Sequence, residues 1–489
     1  MAIDGEHVHG LRSIGDEDAF RLFVDRARAV RDFDVDDASR AAIAEICNRL
    51  DDIPLAIELA AARVVSMQPT EIAARLDERF RLLSGGRRRG VERHQTLRAT
   101  VEWSYSLLEE NERLVFDRLG VFPASFTSDA AVGVACGDDL AEWDVIDALT
   151  TLARKSMIGT ERSEGGVTRY ALLETLRQYG RDQLHTRGLI EDARRRHADY
   201  YARLAERLGR DLTTEHEIAA RQHALVELDN LRSAVAWSLD AEVAADAQFA
   251  IRIVAALGVF AFTAKSSGLG AWAERAVTHL DGVELGLRAA VFGAASGSAL
   301  QRGDLDASGR YADLAIADGI PASCPSSATA AAAPAMAAAV TDPHEALRLL
   351  RSGAQDLEAI GDTWGVLNLE LVAVILSSVI GDMETARREI ASLLPRARQL
   401  ANPANLVIAL YACAYAWWQD NPHEALSMLE EGFALTEQGA SDVVLDSGHQ
   451  LLAQIRHALG DSPGALAALL SAIEVADRVG NRQSVITAL

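Results

Sequence analysis

The sequence predicts a mainly α-helical protein: a small helical bundle, a short helix-and-hairpin domain, then a right-handed α-solenoid. Three observations predict it. Apolar residues recur at three- and four-residue spacing along most of the chain. Residues 156–173 are the one stretch that reads as a β-hairpin. From residue 286 to residue 489 a helix-turn-helix unit of roughly forty residues repeats.

A chain of 489 residues is too long for a single core and implies several domains. Its formal charge of −23, from 48 Lys+Arg against 71 Asp+Glu, argues against a broad nucleic-acid or anionic-membrane surface. The positive charge is nearly all arginine, since Lys155 and Lys265 are the only lysines. Four cysteines (Cys47, Cys136, Cys324, Cys413) lack Cys-x-x-Cys spacing, which fits buried thiols in a reducing compartment better than disulfides or a zinc site. Met1–Gly10 is too polar for a signal peptide. The longest uncharged run, Gly319–Thr341, is interrupted by Pro321, Pro325 and Pro334 and is a poor membrane span. A cytoplasmic protein is expected.

Residues 1–84 read as four short helices. The first begins at Asp16 and carries Ala19, Phe20, Leu22, Phe23 and Ala27. Ser39–Leu50 places Ala42, Ile43, Ile46 and Cys47 on one face, and Pro69–Phe80 carries Ile72, Ala73, Leu76 and Phe80. Between them lies Leu50–Arg63, where Asp51 and Asp52 stand ahead of Pro54, as a helix start prefers. By itself this is the start of a buried helix. It also resembles the Gly-Leu-Pro-Leu-Ala motif of the STAND signalling ATPases, most closely in the bacterial LuxR- and AfsR-type regulators. In that family the proline packs on the adenine of a bound nucleotide. The resemblance implies that Ile53, Pro54 and Leu55 are a vestigial adenine contact and that residues 1–84 match the ARC-type helical lid. Asp52 stands where the family often has glycine.

Residues 85–96, with Gly85–His94 as the most basic segment, read as a linker. His94–Arg98 matches a His-Gln-Thr-Leu-Arg element of the same family. Residues 97–185 then read as a winged helix. Helices are expected at Leu97–Leu108, Glu112–Val121, Asp129–Cys136 and Trp143–Lys155. A hairpin over Ser156–Leu173 turns at Ser163–Gly166, and a closing helix runs from Glu174 to Leu184. The third helix of such a fold can enter a DNA major groove. Here Trp143–Leu149 presents acids and apolar side chains, with only Arg154 and Lys155 at its end, so phosphate repulsion argues against groove reading. In STAND proteins this domain holds the ATPase core closed through a Met-His-Asp motif. The matching Leu172-Leu173-Glu174 lacks the histidine.

Residues 186–285 read as a helical connector, in which Glu227–Arg232 leading to Trp237 is similar to a packing segment of these regulators. In residues 286–489 each unit has a Gly/Asp/Pro turn followed by an inward alanine. The alanines are Ala307, Ala346, Ala386, Ala425 and Ala465, spaced 39, 40, 39 and 40 residues apart. This is the pattern of tetratricopeptide-like repeats, where a small residue at a fixed place lets neighbouring helices close up. Tyr411, Tyr415 and Trp418 are candidates for a partner-binding concave face, although at helical spacing they equally suit the core between repeats.

Catalytic patterns are missing. A P-loop needs Gly-x-x-x-x-Gly-Lys-Ser/Thr, and neither Lys155 nor Lys265 follows that glycine frame. By the resemblance, the chain starts just after the ATP-hydrolysing core. Gly268–Ala273 matches Gly-x-Gly-x-x-Ala without a preceding strand and reads better as a turn between helices. His216-Glu217, His344-Glu345 and His423-Glu424 lack the second histidine of a zinc-protease helix, and Ser296 and Ser298 lack a nucleophile elbow. The expectation is a non-enzymatic regulatory module without metal or cofactor, binding a protein or small-molecule inducer on its solenoid. Two alternatives stand beside it. One is an ADP- or ATP-binding part whose P-loop is supplied elsewhere; the other is a DNA-binding regulator acting through the winged helix.

Overall fold

A computed structural model describes residues 14–75 and 101–478, apart from 31, 51, 53, 62–63, 65–66, 103–104, 107, 138, 156, 163–165, 264–267 and 340. The expected linker at 85–96 and the His94–Arg98 element lie outside the described residues. The chain divides into two compact units, Met1–His197 and Ala198–Leu489. The division falls within one helix, Ile190–Asp211, inside the expected connector.

In the first unit, helices Asp16–Val30, Asp37–Arg49, Pro54–Ala61 and Pro69–Arg75 follow the expected order. Phe23, Ile43, Ile46, Leu50, Ile57 and Ile72 share one apolar core. Asp36 caps the second helix by accepting from the Ser39 amide. Asp52 adopts a left-handed backbone with φ of 52°, so the turn before Pro54 is made without glycine.

The winged helix comprises helices Glu110–Leu119, Ser128–Ala135, Glu142–Arg154 and Glu174–Arg187. Strands Gly159–Arg162 and Thr168–Ala171 form the expected hairpin, and Phe126–Thr127 pairs with the second of them. That third strand is too short for alternation to reveal it. Phe122 stacks on Phe126 at 4.2 Å and meets His197 edge-on at 5.1 Å. Asp117, on helix Glu110–Leu119, is fully buried, accepting from Tyr105 Oη at 2.9 Å with Arg187 Nε 3.3 Å away.

In the second unit the repeats are stacked helix pairs. Helices Leu285–Gln301, Ser327–Ala338, Thr363–Val379, Pro403–Trp417 and Leu445–Ala458 alternate with Leu305–Ile316, Pro343–Ile360, Met383–Leu400, Pro422–Glu437 and Ser462–Arg478. All five repeat alanines are buried. Asp304, Asp342, Asp382 and Asp461 each accept from an amide in the first turn of the following helix. Gly303, Gly381 and Gly460, which precede three of these caps, have φ of 82°, 91° and 82°, a conformation that explains Gly-Asp at the turns. The Ala-rich run differs from expectation in one respect: a helix passes through Pro334. Ala328, Ala330, Ala331, Ala333 and Ala335 are buried among neighbouring repeat helices, and this packing offsets the lost amide bond. No described helix is long and apolar enough to cross a membrane.

Candidate functional site

The chemistry-bearing place in the second unit is a cavity of about 250 Å³ between the connector and the repeats. Apolar side chains make most of its wall, including Val259, Met336, Val372, Ile375 and Val444. Repeat packing explains why it exists. Small residues on Ser327–Ala338, such as Ala328 and Ala332, let that helix approach its neighbours but leave space where larger side chains would project. Glu217, at the start of helix Glu217–Val226, is the one ionisable group on the wall among the described residues.

Glu217 is 2% exposed. Its carboxyl accepts from the Ser441 amide, while Oε2 has no hydrogen-bond partner. Burial pushes its pKa up to about 7; Arg221 and the Ser441 amide pull it down, and Asp442 pushes it up. Arg221 itself bonds Asp442 at 2.8 Å and lies over the Phe260 ring at 5.6 Å from its centroid.

Asn402 fastens the same region from the other side. It is fully buried and caps helix Pro403–Trp417. Its Nδ2 donates to the carbonyls of Leu212 (3.1 Å) and Thr214 (2.7 Å), and its Oδ1 accepts from Trp364 Nε1 (3.0 Å) and the Asn405 amide (3.0 Å). Asn405 continues the network, donating to the Trp364 carbonyl at 3.2 Å and accepting from Asn368 Nδ2 at 2.8 Å. Trp364 and Asn368 both line the cavity, so its polar wall is held in place from behind.

The residues singled out from sequence fall elsewhere. Ile53 lies outside the described residues, as does the side chain of Leu55, and Pro54 is exposed at the start of its helix. Tyr411 is buried in the apolar cluster of the last repeats, with Tyr415 and Trp418 packed against it; none of the three lines the 250 Å³ cavity. Their spacing puts them on the helix face that meets the next pair. Leu173 precedes helix Glu174–Arg187 at the Met-His-Asp position and is exposed. Gly268 opens helix Leu269–Ala276 with φ of 75°, a turn between helices as expected. Among the described residues no cluster of three His, Cys, Asp or Glu is placed to hold a metal. Sequence reasoning missed Glu217, Arg221, Asn402 and Asp442. Asn402-Pro403 announces a helix cap, but nothing local shows that the cap also bonds the connector.

A winged helix-turn-helix domain family matches residues 108–185. A protein of Mycobacterium tuberculosis named as an HTH-type transcriptional regulator is 49% identical over 228 residues, 46% of this chain and 25% of the relative. Its Mycobacterium bovis counterpart matches equally. An uncharacterized M. tuberculosis protein is 43% identical over 173 residues, 35% of this chain and 44% of its own length. The chain thus spans a quarter of the length of the regulators it matches. A Pyrococcus horikoshii STAND protein with a tetratricopeptide repeat sensor aligns over 98% of this chain and 72% of its own, at 13% identity. With a TM-score of 0.39 that overlay is too loose to carry an argument. The class defined is a mainly helical protein with a winged helix and a helical-repeat C-terminal region. Its relatives are named as transcriptional regulators.

Proposed function

We propose that this chain is the non-catalytic regulatory and sensing part of a STAND-type transcriptional regulator, acting in the cytoplasm, and that its repeat unit takes up a small-molecule inducer. The observation that carries this reading is the apolar cavity with one buried, half-satisfied carboxyl on its wall, the form of a small-ligand site. The regulator names of the relatives support the regulatory part. ADP or ATP enters only where another region supplies a P-loop, with Pro54 against the adenine.

A second reading, DNA binding through the winged helix, is favoured by the family match at 108–185. The exposed side of its third helix carries Glu142, Trp143, Asp147 and Thr150, which repels phosphates and weighs against it.

Fluorescence titration of the full chain with 1-aminoanthracene tests the reading. Saturable binding is expected, weakened about tenfold or more by Ala332→Phe, which fills the cavity. Unsaturable binding, indifference to that substitution, or phosphate release from ATP by the purified chain would overturn it. A salt-dependent shift of duplex DNA would favour the second reading.

A further inference from the structure

We infer that the cavity is shaped for a small amphipathic amine, whose apolar body fills the space among Val259, Met336, Val372 and Ile375 and whose ammonium group pairs with Glu217. This rests on the proposed uptake of a small molecule and adds the chemical class. Charge balance is the first argument. Glu217, Arg221 and Asp442 form a group with two acids and one base, and Arg221 already bonds Asp442. The group is one positive charge short, and among the described residues no lysine, arginine or histidine lines the cavity to supply it.

Hydrogen bonding is the second argument. Glu217 lines the cavity, and its Oε2 is closed off without a donor, an arrangement that costs free energy until the side chain turns toward the cavity and meets one. A carboxylate accepts only, so the group that completes it must donate, and an ammonium donates and neutralises together. A carboxylate or phosphate ligand would instead meet like charge at short range. Size is the third argument. The volume exceeds the roughly 150 Å³ of an apolar cavity that admits benzene, and falls below the ~300–1,000 Å³ of sites for drug-sized ligands. One ring on a short chain suits it.

Calorimetric titration of the full chain at about pH 8.5, where both Glu217 and an alkylamine are charged, tests this with three molecules sharing one body. They are 4-phenylbutylamine, 4-phenylbutan-1-ol and 4-phenylbutyrate. The amine should bind at least about tenfold more tightly than the alcohol, and the carboxylate more weakly than either. Glu217→Gln should abolish the amine's advantage while the alcohol binds as before, which shows that the cavity persists. Equal affinity of amine and alcohol, or an advantage unaffected by Glu217→Gln, overturns the assignment to an amine and leaves the cavity reading standing. If none of the three binds, the uptake of small apolar molecules fails and the amine assignment fails with it. A cooperative melting transition of Glu217→Gln at or above the parent's temperature confirms that the variant is folded.

Discussion

Arg221 and Asp442 lie 221 residues apart in sequence and 2.8 Å apart in space. Arg221 is almost wholly buried and Asp442 about a third exposed, so the pair loses less to solvent than a surface ion pair would. It joins the connector helix to the segment before the last repeat and stands next to Glu217.

Removing the acid takes one ion-pair partner from a buried guanidinium. Asp442→Ala is expected to cost about 2 kcal/mol, below the ~3–5 kcal/mol of a fully buried pair because Asp442 is partly solvated. Arg221→Met combined with Asp442→Ala should cost less than the sum of the single changes. Urea unfolding of the four proteins measures the coupling; additivity would show that the pair contributes nothing.

Asn402 bonds four backbone or side-chain groups from full burial. Asn402→Ala should therefore destabilise by roughly 3–5 kcal/mol, adding a lost helix cap to unsatisfied carbonyls and an unsatisfied indole N–H. Hydrogen exchange should rise at Leu212–Glu217 as well as at Pro403–Asn405, because both segments bond through this side chain. Exchange confined to the second segment would contradict the network.

The pH dependence follows from three buried groups. Burial lifts the Glu217 and Asp117 carboxyls to about 7 from 4.5 and 3.8. The unfolded chain releases these protons first as pH rises, so their contribution to stability is full at low pH and is lost through about pH 7. His197 goes the other way. Burial and the Arg181 charge lower it to about 3 from 6.5, so its contribution is full above pH 6.5 and is lost as pH falls toward 3. Glu217→Gln should raise stability at pH 8 relative to pH 5 by as much as about 3 kcal/mol. Denaturant midpoints at the two pH values measure this; an equal effect at both would refute it.

Ala401 ends helix Met383–Leu400 with φ of 55°, where a Cβ is strained. Ala401→Gly should stabilise by about 0.5–1 kcal/mol, the relief of strain exceeding the entropy gained by the unfolded chain. A lower melting temperature would show that the unfolded chain's entropy gain outweighs the backbone strain.

What the sequence determined by itself was what short-range physics dictates. Apolar spacing gave the four helices of residues 14–75, and Gly-Asp, Asp-Pro or Asn-Pro turns with an alanine three or four residues on gave the five repeats, because caps and close helix approach are local demands. The hairpin at 159–171 was legible for the same reason. The site was not. Nothing in the local pattern singles out Asp442 or Arg221, and Glu217 stands out only beside His216; the tertiary fold brings the three together. Tyr411, Tyr415 and Trp418 drew attention as aromatics, yet tertiary packing sets them between helices and places the cavity elsewhere. Burial and charge pairing across two hundred residues depend on where the chain returns in space, and no local pattern encodes that distance.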